Sequence, residues 1–527
     1  MTDKTNALDD RKRLTRATVA LMWLAAALLA LGVSPYWRID PDSALYTGLA
    51  RSIATGAGYT FSGESQASIP PVTPLWLAVA YKAAHFFDPN LTFLGTFYYF
   101  NAFMALAGMA GIVAAFFLAV QLRSLRHAVF VLFFLLTARH YFFFSIVPLT
   151  DVPYCALSWL ALFFVVRLNR AWRWADAGAA AVFLTLAVLT RLVGISLVVA
   201  VAGYFLWNAR RPGAQRSRAL VAATIVIPAV VAVAVELFFI FRSTAGSSFN
   251  YYADLAAGRS PAEIVGRIFH DFATLPGYLF EGVTTLESVA GLGVIFTVLV
   301  LFGGVVYTLR RGGLALAYFV CYLLYVASGE EVLPRYVAPL LPLVYLFLVE
   351  AVSSLCAWAV RVWPTRLWVA NGLRRAAVVT GALVIAANLV YVGREIALNF
   401  SKDFYASYRR GGWREYLDLA GELAKKPPRG RVMAYRARVV CALADVEAVR
   451  PPYHPETRFR PSVDGLARYV KDRNVSAIVV DGGDAESARL LGDFIAQGSL
   501  DWKLKSSFGK LALYEVEGEK AGSPGSP

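Results

Sequence analysis

Charge is scarce in this chain. Only 17% of its 527 residues are Asp, Glu, Lys or Arg and 58% are hydrophobic, whereas soluble domains carry roughly 25% charged residues. That balance excludes an ordinary soluble enzyme. Cysteine is nearly absent. Of the four, Cys155, Cys321 and Cys356 lie in apolar runs and Cys441 stands alone in the polar tail, so no disulfide framework or Cys-rich metal site is indicated. The histidines His85, His127, His140, His270 and His454 are scattered without the paired spacing of a zinc site. Repeats of solenoid period and inverted repeats of span length are missing too.

What the chain has instead is apolar length. Nearly uncharged stretches recur from residue 18 to about 393, each fit to cross ~30 Å of hydrocarbon. Eleven spans are expected, near 18–34, 97–120, 128–147, 152–168, 177–190, 192–208, 219–240, 289–309, 313–328, 337–358 and 376–393. The net charge of +15 does not point to nucleic acid, because the basic residues sit in short turns between spans. Lys4, Arg11, Lys12, Arg13 and Arg16 precede the first span. Arg123 and Arg126, then Arg167, Arg170 and Arg173, then Arg210, Arg211, Arg216 and Arg218, then Arg310 and Arg311, and lastly Arg361, Arg366, Arg374 and Arg375 fill alternate turns. The positive-inside rule therefore puts the N-terminus in the cytoplasm and the tail outside. Residues 71–87, which carry Lys82 and His85, are short for a span and are read as a helix lying along the outer interface.

The expected organisation is a cytoplasmic N-terminus (1–17), a transmembrane domain (18–396) with outer loops at 35–96 and 241–288, an extracytoplasmic α/β domain (397–518) and a disordered tail (519–527). In the α/β domain, WREYLDLAGELAKK, VDGLARYVKDR and AESARLLGDFIAQG read as helices, and RVMAYRARVV, VSAIVVD and KLALYEVE as β-rich runs. Asp481-Gly482-Gly483-Asp484 reads as a turn after a strand, with a metal loop as the lesser alternative. This domain shows no charged constellation of catalytic type. The long loop from 243 to 287 either closes over a substrate or forms interfacial helices.

Polar residues inside a membrane domain are costly, so their placement is informative. Asp40, Asp42, Glu64, Arg139, His140, Asp151, Arg191, Glu236, Glu330, Glu331 and Arg335 collect at the outer ends of spans and in outer loops, with Glu350 an unexplained exception. The first loop is the richest: RIDPDSALYTGLARSIATGAGYT at 38–60 opens a helix with Tyr46 on one face. Asp42 or Ser43 serves there as an N-cap, or Asp42 as a catalytic acid, and the two roles are compatible. A carboxylate in an outer loop suits a general base that takes a proton from an acceptor hydroxyl. A phosphate leaving group wants fixed cations, for which arginine's fork is suited.

The first-loop Asp before a Tyr-containing helix, GAGY at 56–59, PPVTPLW at 70–76, LTDVPY at 149–154, LTR at 189–191 and PRYVAPLLP at 334–342 together resemble the GT-C glycosyltransferases. The nearest likeness is to the protein O-mannosyltransferase and aminoarabinose-transferase type, over roughly residues 15–395. The resemblance implies a polytopic helical membrane fold. It implies an enzyme that moves a sugar from a polyprenyl-phosphate donor to a lipid, glycan or protein acceptor at the outer membrane face, with membrane lipids around it and no nucleic acid. The family's essential acid falls on Asp42. Many relatives have Asp-Glu there, whereas this chain has Asp42-Ser43 with Asp40 two residues earlier, which leaves the base open between Asp42 and Asp40.

Asp151 is a helix cap by default and a second acid of the site by resemblance. Arg335 with Tyr336, Arg191 and Arg139 are the candidates for the donor phosphate. Each has a plainer alternative: Arg335 as partner of Glu330 or Glu331, Arg191 as a snorkelling cation, and Arg139 as a headgroup anchor. Tyr46, Tyr59, Glu64, Glu330 and Glu331 are placed in the substrate loops. No metal ligand set is assigned. Asp40-Pro41-Asp42 has the look of an Asp-x-Asp element, so a divalent cation stays open. The competing class is a transporter or lipid flippase, which would want its charges at mid-bilayer, or an inactive scaffold. A bacterial inner membrane is the expected location, with the endoplasmic reticulum as the alternative.

Overall fold

The computed structural model of the chain describes residues 2–66, 69–171, 173–209, 216–243, 261–284, 290–327, 334–408, 412–451, 463–497 and 501–516. The first loop follows α1 (Thr2–Gly32) and holds α2 (Pro41–Ala54), the strands β1 (Thr60–Phe61) and β2 (Glu64–Ser65), and α3 (Val72–Phe87). Proline fits the first helical position of α2 because its missing N–H needs no partner there. Ser62 (φ 54°) and Gly63 (φ 74°) form the two-residue turn that pairs Phe61 with Glu64, the hairpin geometry that requires positive φ at both positions. Helix α3 packs along α2 and leaves Trp76, Val79, Phe86 and Phe87 exposed. Its 16 residues reach about 24 Å, short of a ~30 Å bilayer core.

The helices that follow are α4 (Phe97–Leu122), α5 (Leu125–Thr137), α6 (Arg139–Phe144), α7 (Asp151–Arg170), α8 (Trp174–Val188), α9 (Gly194–Ala209) and α10 (Arg216–Ser243). Then come α11 (Pro261–Val283), α12 (Ala290–Arg311), α13 (Leu314–Ala327), a 3-10 turn (Pro334–Leu340), α14 (Leu341–Val362) and α15 (Leu367–Leu398). Among the described residues six helical runs are long and apolar enough to cross a membrane, starting at Lys12, Phe97, Asp151, Gly291, Arg335 and Leu367. Shorter apolar helices, Leu125–Thr137, Trp174–Val188, Gly194–Asn208, Ala223–Phe239 and Leu314–Ala327, stand at the other five expected spans.

One expectation changes in this region. The stretch 128–147 is not one helix but is broken at Ala138, whose backbone is extended. The break lets α6 dock on α4, where the Tyr141 hydroxyl donates to the Gly108 carbonyl at 2.7 Å. Any side chain at Gly111 would collide with that hydroxyl. The loop read over 243–287 contains α11 across Pro261–Val283, while 244–260 and 285–289 lie outside the described residues. Glu350 also finds its explanation: it is buried beside the C-terminal end of α4, bridged by Arg123 (3.2 Å) and Arg310. Two guanidiniums supply the compensation that a buried carboxylate needs.

After α15 come α16 (Phe404–Ser407), α17 (Trp413–Lys425), β3 (Arg431–Ala434), α18 (Ala437–Ala444), β4 (Ala448–Val449), α19 (Val463–Asp472), β5 (Val475–Asp481), α20 (Ala485–Ala496), β6 (Trp502–Phe508) and β7 (Leu511–Val516). The sheet order is β4-β3-β5-β7-β6, parallel through β4, β3 and β5 and antiparallel at β7 and β6. The small α/β unit expected at the C-terminal end is therefore present. The run RVMAYRARVV is a strand only to Ala434 and is helical from Ala437, and β6 was not foreseen. Asp481 ends β5 and accepts from the Gly483 amide (2.9 Å) and the Tyr416 hydroxyl (2.8 Å), which is turn chemistry. Along β5, Ala477 and Val479 face the core shared with the membrane helices, and Ile478 faces a second small core with Leu466, Leu491 and Phe494. That is the period-two alternation of a sheet covered on both sides.

The sheet unit is fastened to the first loop. Ser62 Oγ accepts from the Ala448 amide and donates to its carbonyl, both at 2.8 Å. Arg51 pairs with Asp445. Arg38, fully buried, reaches the Glu395 carbonyl (2.9 Å) and Asn399 (3.2 Å) at the end of α15.

Candidate active site

The site begins with the way α2 starts. Asp40 is the N-cap: its Oδ1 accepts from the Asp42 amide at 3.0 Å, and its carbonyl accepts from Ser43 Oγ at 2.7 Å. Trp37 Nε1 donates to Ser43 Oγ at 2.8 Å. The capping task is thus carried by Asp40, not by Asp42 or Ser43, and Asp42 in the first helical turn keeps its carboxylate for other partners.

Those partners come from two distant segments. Arg335, in the 3-10 turn, donates from Nη2 to Asp42 Oδ2 at 3.0 Å, and Arg438, on α18, donates from Nη1 to Oδ1 at 2.9 Å. Burial pushes the Asp42 carboxyl up, but the Arg335 and Arg438 charges outweigh it and hold the group below its ordinary value. One turn along α2, burial and then the Asp42 charge push the Tyr46 phenol up to about 12, so it stays a neutral hydroxyl. Burial likewise pushes Tyr59 up, and its hydroxyl donates to the Ile69 carbonyl at 2.9 Å.

The 3-10 turn is pinned by Trp159 of α7, whose Nε1 donates to the Pro339 carbonyl at 2.8 Å. The same helix opens with Asp151, 2% exposed, which pairs with Arg191. Arg191 stands over the Tyr336 ring at 5.0 Å and Arg335 over the same ring at 5.4 Å. One phenol thus sits between two guanidiniums, a cation–π arrangement that links the Asp151 pair to the Asp42 pair.

Asp42, Arg335, Tyr336, Arg191, Asp151 and Tyr46 are therefore brought together, with Asp40 behind them as the cap. Three others stand apart. Arg139 lies over Tyr391 of α15 at 4.8 Å, Tyr59 is turned to the Ile69 carbonyl, and Glu64 is held by Arg473 (2.9 Å) and Arg431 (3.2 Å) of the sheet unit. Glu330 and Glu331 lie outside the described residues. The partner of Arg335 among the described residues is Asp42. Arg438 was missed because its run reads as a strand of an unrelated domain. The signal available was a basic residue inside RVMAYRARVV, where neighbouring positions are apolar.

The carboxylates of Asp40 and Asp42 have different partners. One carboxylate takes a backbone amide and the other takes two guanidiniums, and among the described residues no group of three His, Cys, Asp or Glu converges.

No protein-family model matches the sequence, and no curated protein matches it. Solved structures do match in fold. ArnT from Cupriavidus metallidurans in the apo state superposes with a TM-score of 0.60 at 16% identity, over 95% of this chain and 98% of that one. The same protein bound to undecaprenyl phosphate gives 0.60 at 16%, over 94% and 97%. The archaeal oligosaccharyltransferase AglB from Archaeoglobus fulgidus, in complex with an inhibitory peptide and a dolichol-phosphate, gives 0.56 at 12%, over 95% and 74%. The polytopic helical fold expected from the motifs is thus the fold that this chain shares with ArnT and with the archaeal oligosaccharyltransferase.

Proposed function

We propose that this chain is a glycosyltransferase that moves a sugar from a polyprenyl-phosphate donor to an acceptor hydroxyl, at the membrane face that carries the sheet unit. The observation that carries the reading is the Asp42 carboxylate, relieved of capping by Asp40 and held between Arg335 and Arg438. A fold shared with a protein bound to undecaprenyl phosphate supports the donor class. The sequence pattern of basic turns supports the outer face, and the family resemblance supports a bacterial inner membrane.

The chemistry follows from the residues. The acceptor oxygen bonds to the sugar's anomeric carbon, the bond from that carbon to the phosphate oxygen breaks, and the phosphate leaves with the electron pair. The acceptor proton goes to Asp42. A carboxylate locked in two ion pairs is a poor base, since both oxygens are occupied and its pKa is depressed. An arriving phosphate competes for the same guanidiniums, so donor binding draws Arg335 and Arg438 away and frees Asp42. Fixed cations then stabilise the charge that develops on the leaving phosphate. Asp151 orients Arg191, and Tyr336 holds Arg191 and Arg335 at a set spacing.

The test is incubation of the purified protein with labelled polyprenyl-phosphate sugars and membrane extract, followed by counting label in lipid, glycan and protein fractions. Transfer that vanishes with Asp42→Asn supports the proposal. No transfer from any donor, with intact protein, refutes it.

A further inference from the structure

A cavity of about 70 Å³ opens where the ends of α4, α7 and α12 meet the turn into α13. Its polar wall is made by Gln121, Asn169, Arg170, Tyr307 and Arg311, and among the described residues no carboxylate lines it. Helix α7 runs from Asp151 to Arg170, 20 residues, or about 30 Å at 1.5 Å per residue. That is the thickness of a bilayer's hydrocarbon core. The cavity therefore stands at the opposite end of α7 from Asp151, one membrane thickness away.

We propose that this cavity binds the phosphate of an anionic phospholipid from the surrounding bilayer, a role independent of the transferase reading. Charge is the first ground. Nearby, Glu350 is taken by Arg123 and Arg310, and Asp176 by Arg167. Arg170 and Arg311 have no such match. Arg170 donates to the Gln121 side chain at 3.0 Å and to the Gln121 carbonyl, and Arg311 has no ion-pair partner among the described residues. Both, with Arg123, lie within electrostatic reach of the Tyr307 hydroxyl, which donates to the Leu122 carbonyl at 3.0 Å. A guanidinium at a helix end has a plainer use, to hold the last carbonyls, and Arg170 fulfils it at the end of α4. Arg311 makes no such bond among the described residues, and its charge is left to an outside anion.

Size and the grading of the wall choose the ligand. The volume is well below the ~300–1,000 Å³ of sites that enclose a whole small molecule, so it holds one compact group with the rest of its molecule outside. Arg170 stands one turn beyond Val166, and Arg311 one turn beyond Tyr307, so each guanidinium is at the rim and a less polar residue of the same helix face lies inward. Leu122 and Leu314 complete the apolar side. A headgroup phosphate is charged toward water and esterified to chains that run into the hydrocarbon, which is the same gradient. Inorganic phosphate, hydrated on every side, makes no use of the apolar wall. Basic pockets between membrane helices take anionic headgroups by this chemistry.

The full-length protein in detergent is titrated with dioctanoyl phosphatidylglycerol, with dioctanoyl phosphatidylcholine and with inorganic phosphate, and bound lipid is counted by native mass spectrometry. The expected result is that phosphatidylglycerol binds about tenfold or more tighter than phosphatidylcholine, the equivalent of ~1.4 kcal/mol. Arg311→Gln should weaken it about fivefold, the scale of one cation near an anionic headgroup. Asn169→Trp, which fills the cavity and keeps both guanidiniums, should weaken it at least as much. Arg366→Gln, at the start of α15 and outside the cavity, should leave it unchanged. All three positions are exposed, and melting curves check that the variants fold. Equal affinity for the two lipids, undiminished binding in either cavity variant, or an equal loss in Arg366→Gln overturns the proposal. So does displacement of the lipid by inorganic phosphate at matched concentration, which would make the cavity a site for a soluble anion. The comparison of the two lipids on the unaltered protein decides by itself where a variant does not fold.

Discussion

Asp42 and Arg438 stand 396 residues apart in the chain, yet Arg438 Nη1 lies 2.9 Å from Asp42 Oδ1. The contact joins the first loop to the last unit of the fold at the carboxylate that Arg335 also holds. On the function proposed above, it makes the sheet unit a contributor to the site.

Asp42→Asn is expected to lower transfer by about 10²- to 10⁴-fold, the usual cost of losing general-base help. Thermal stability changes little, because Asp40 rather than Asp42 caps α2 and the amide oxygen still accepts a hydrogen bond. Asp40→Ala has the opposite profile, costing about 1 kcal/mol of stability through the lost cap with a smaller loss of rate. Turnover and melting temperature measured on both variants check the assignment. Wild-type turnover in Asp42→Asn refutes it.

Arg335→Ala should impair donor use more than Arg335→Lys, but lysine should not restore full activity. Its point charge replaces neither the fork that reaches Asp42 nor the planar face over Tyr336. Donor KM and kcat for the two variants make the comparison, and equal, undiminished activity removes Arg335 from the site.

Arg438→Gln is expected to slow transfer by about 10²-fold, the scale of one lost electrostatic donor at a developing charge. A merely structural role for Arg438 predicts lost stability with normal turnover in the fraction that remains folded. A chain stopped after residue 396 should be inactive even when it inserts.

The acid side of the pH profile follows from the depressed Asp42 carboxyl. Its ion pairs contribute stability above the unfolded value of ~3.9, and that contribution is lost as pH falls through the lower folded value. Asp42 is about a third exposed, 34% by side chain, so the effect is small. The melting difference between wild type and Asp42→Asn should hold from pH 8 to about 5 and close below about 4. In Arg335→Gln the carboxyl rises, and the acid limb of transfer moves to higher pH. An acid limb that does not move would separate Asp42 ionisation from the rate.

For orientation, single cysteines at Ala171 and Ala485 in a cysteine-free background should react with impermeant reagents from opposite sides of the membrane. Labelling of both from one side would overturn the span arrangement.

The membrane fold was legible because apolar length and basic turns are written locally, and each span could be read without knowing its neighbours. Asp42, Arg335, Tyr336, Arg191 and Asp151 were legible as candidates because charge near the end of an apolar run is costly enough to be conspicuous. Their pairings were not. Arg335 could equally have been matched with Glu330 or Glu331 on nearness in sequence, and the cap could have been Asp42, since Asp40 and Asp42 both suit a helix start. Arg438 and Ala138 were hidden for a common reason. The helix in one case and the segment after the break in the other make their contacts with distant residues, Asp42 and Gly108, and local propensity is silent about those.

Ser62 and Ala448, which exchange two hydrogen bonds, impose an order in time on the molecule. The ribosome adds about 5–20 residues per second, so the first loop is complete some 20–80 seconds before its fastener is made. Through that interval the nascent chain has its hairpin and its acid but no Arg438. A chain stalled in the membrane domain therefore carries Asp42 and Arg335 but neither Arg438 nor the strand that brings the sheet unit to the first loop.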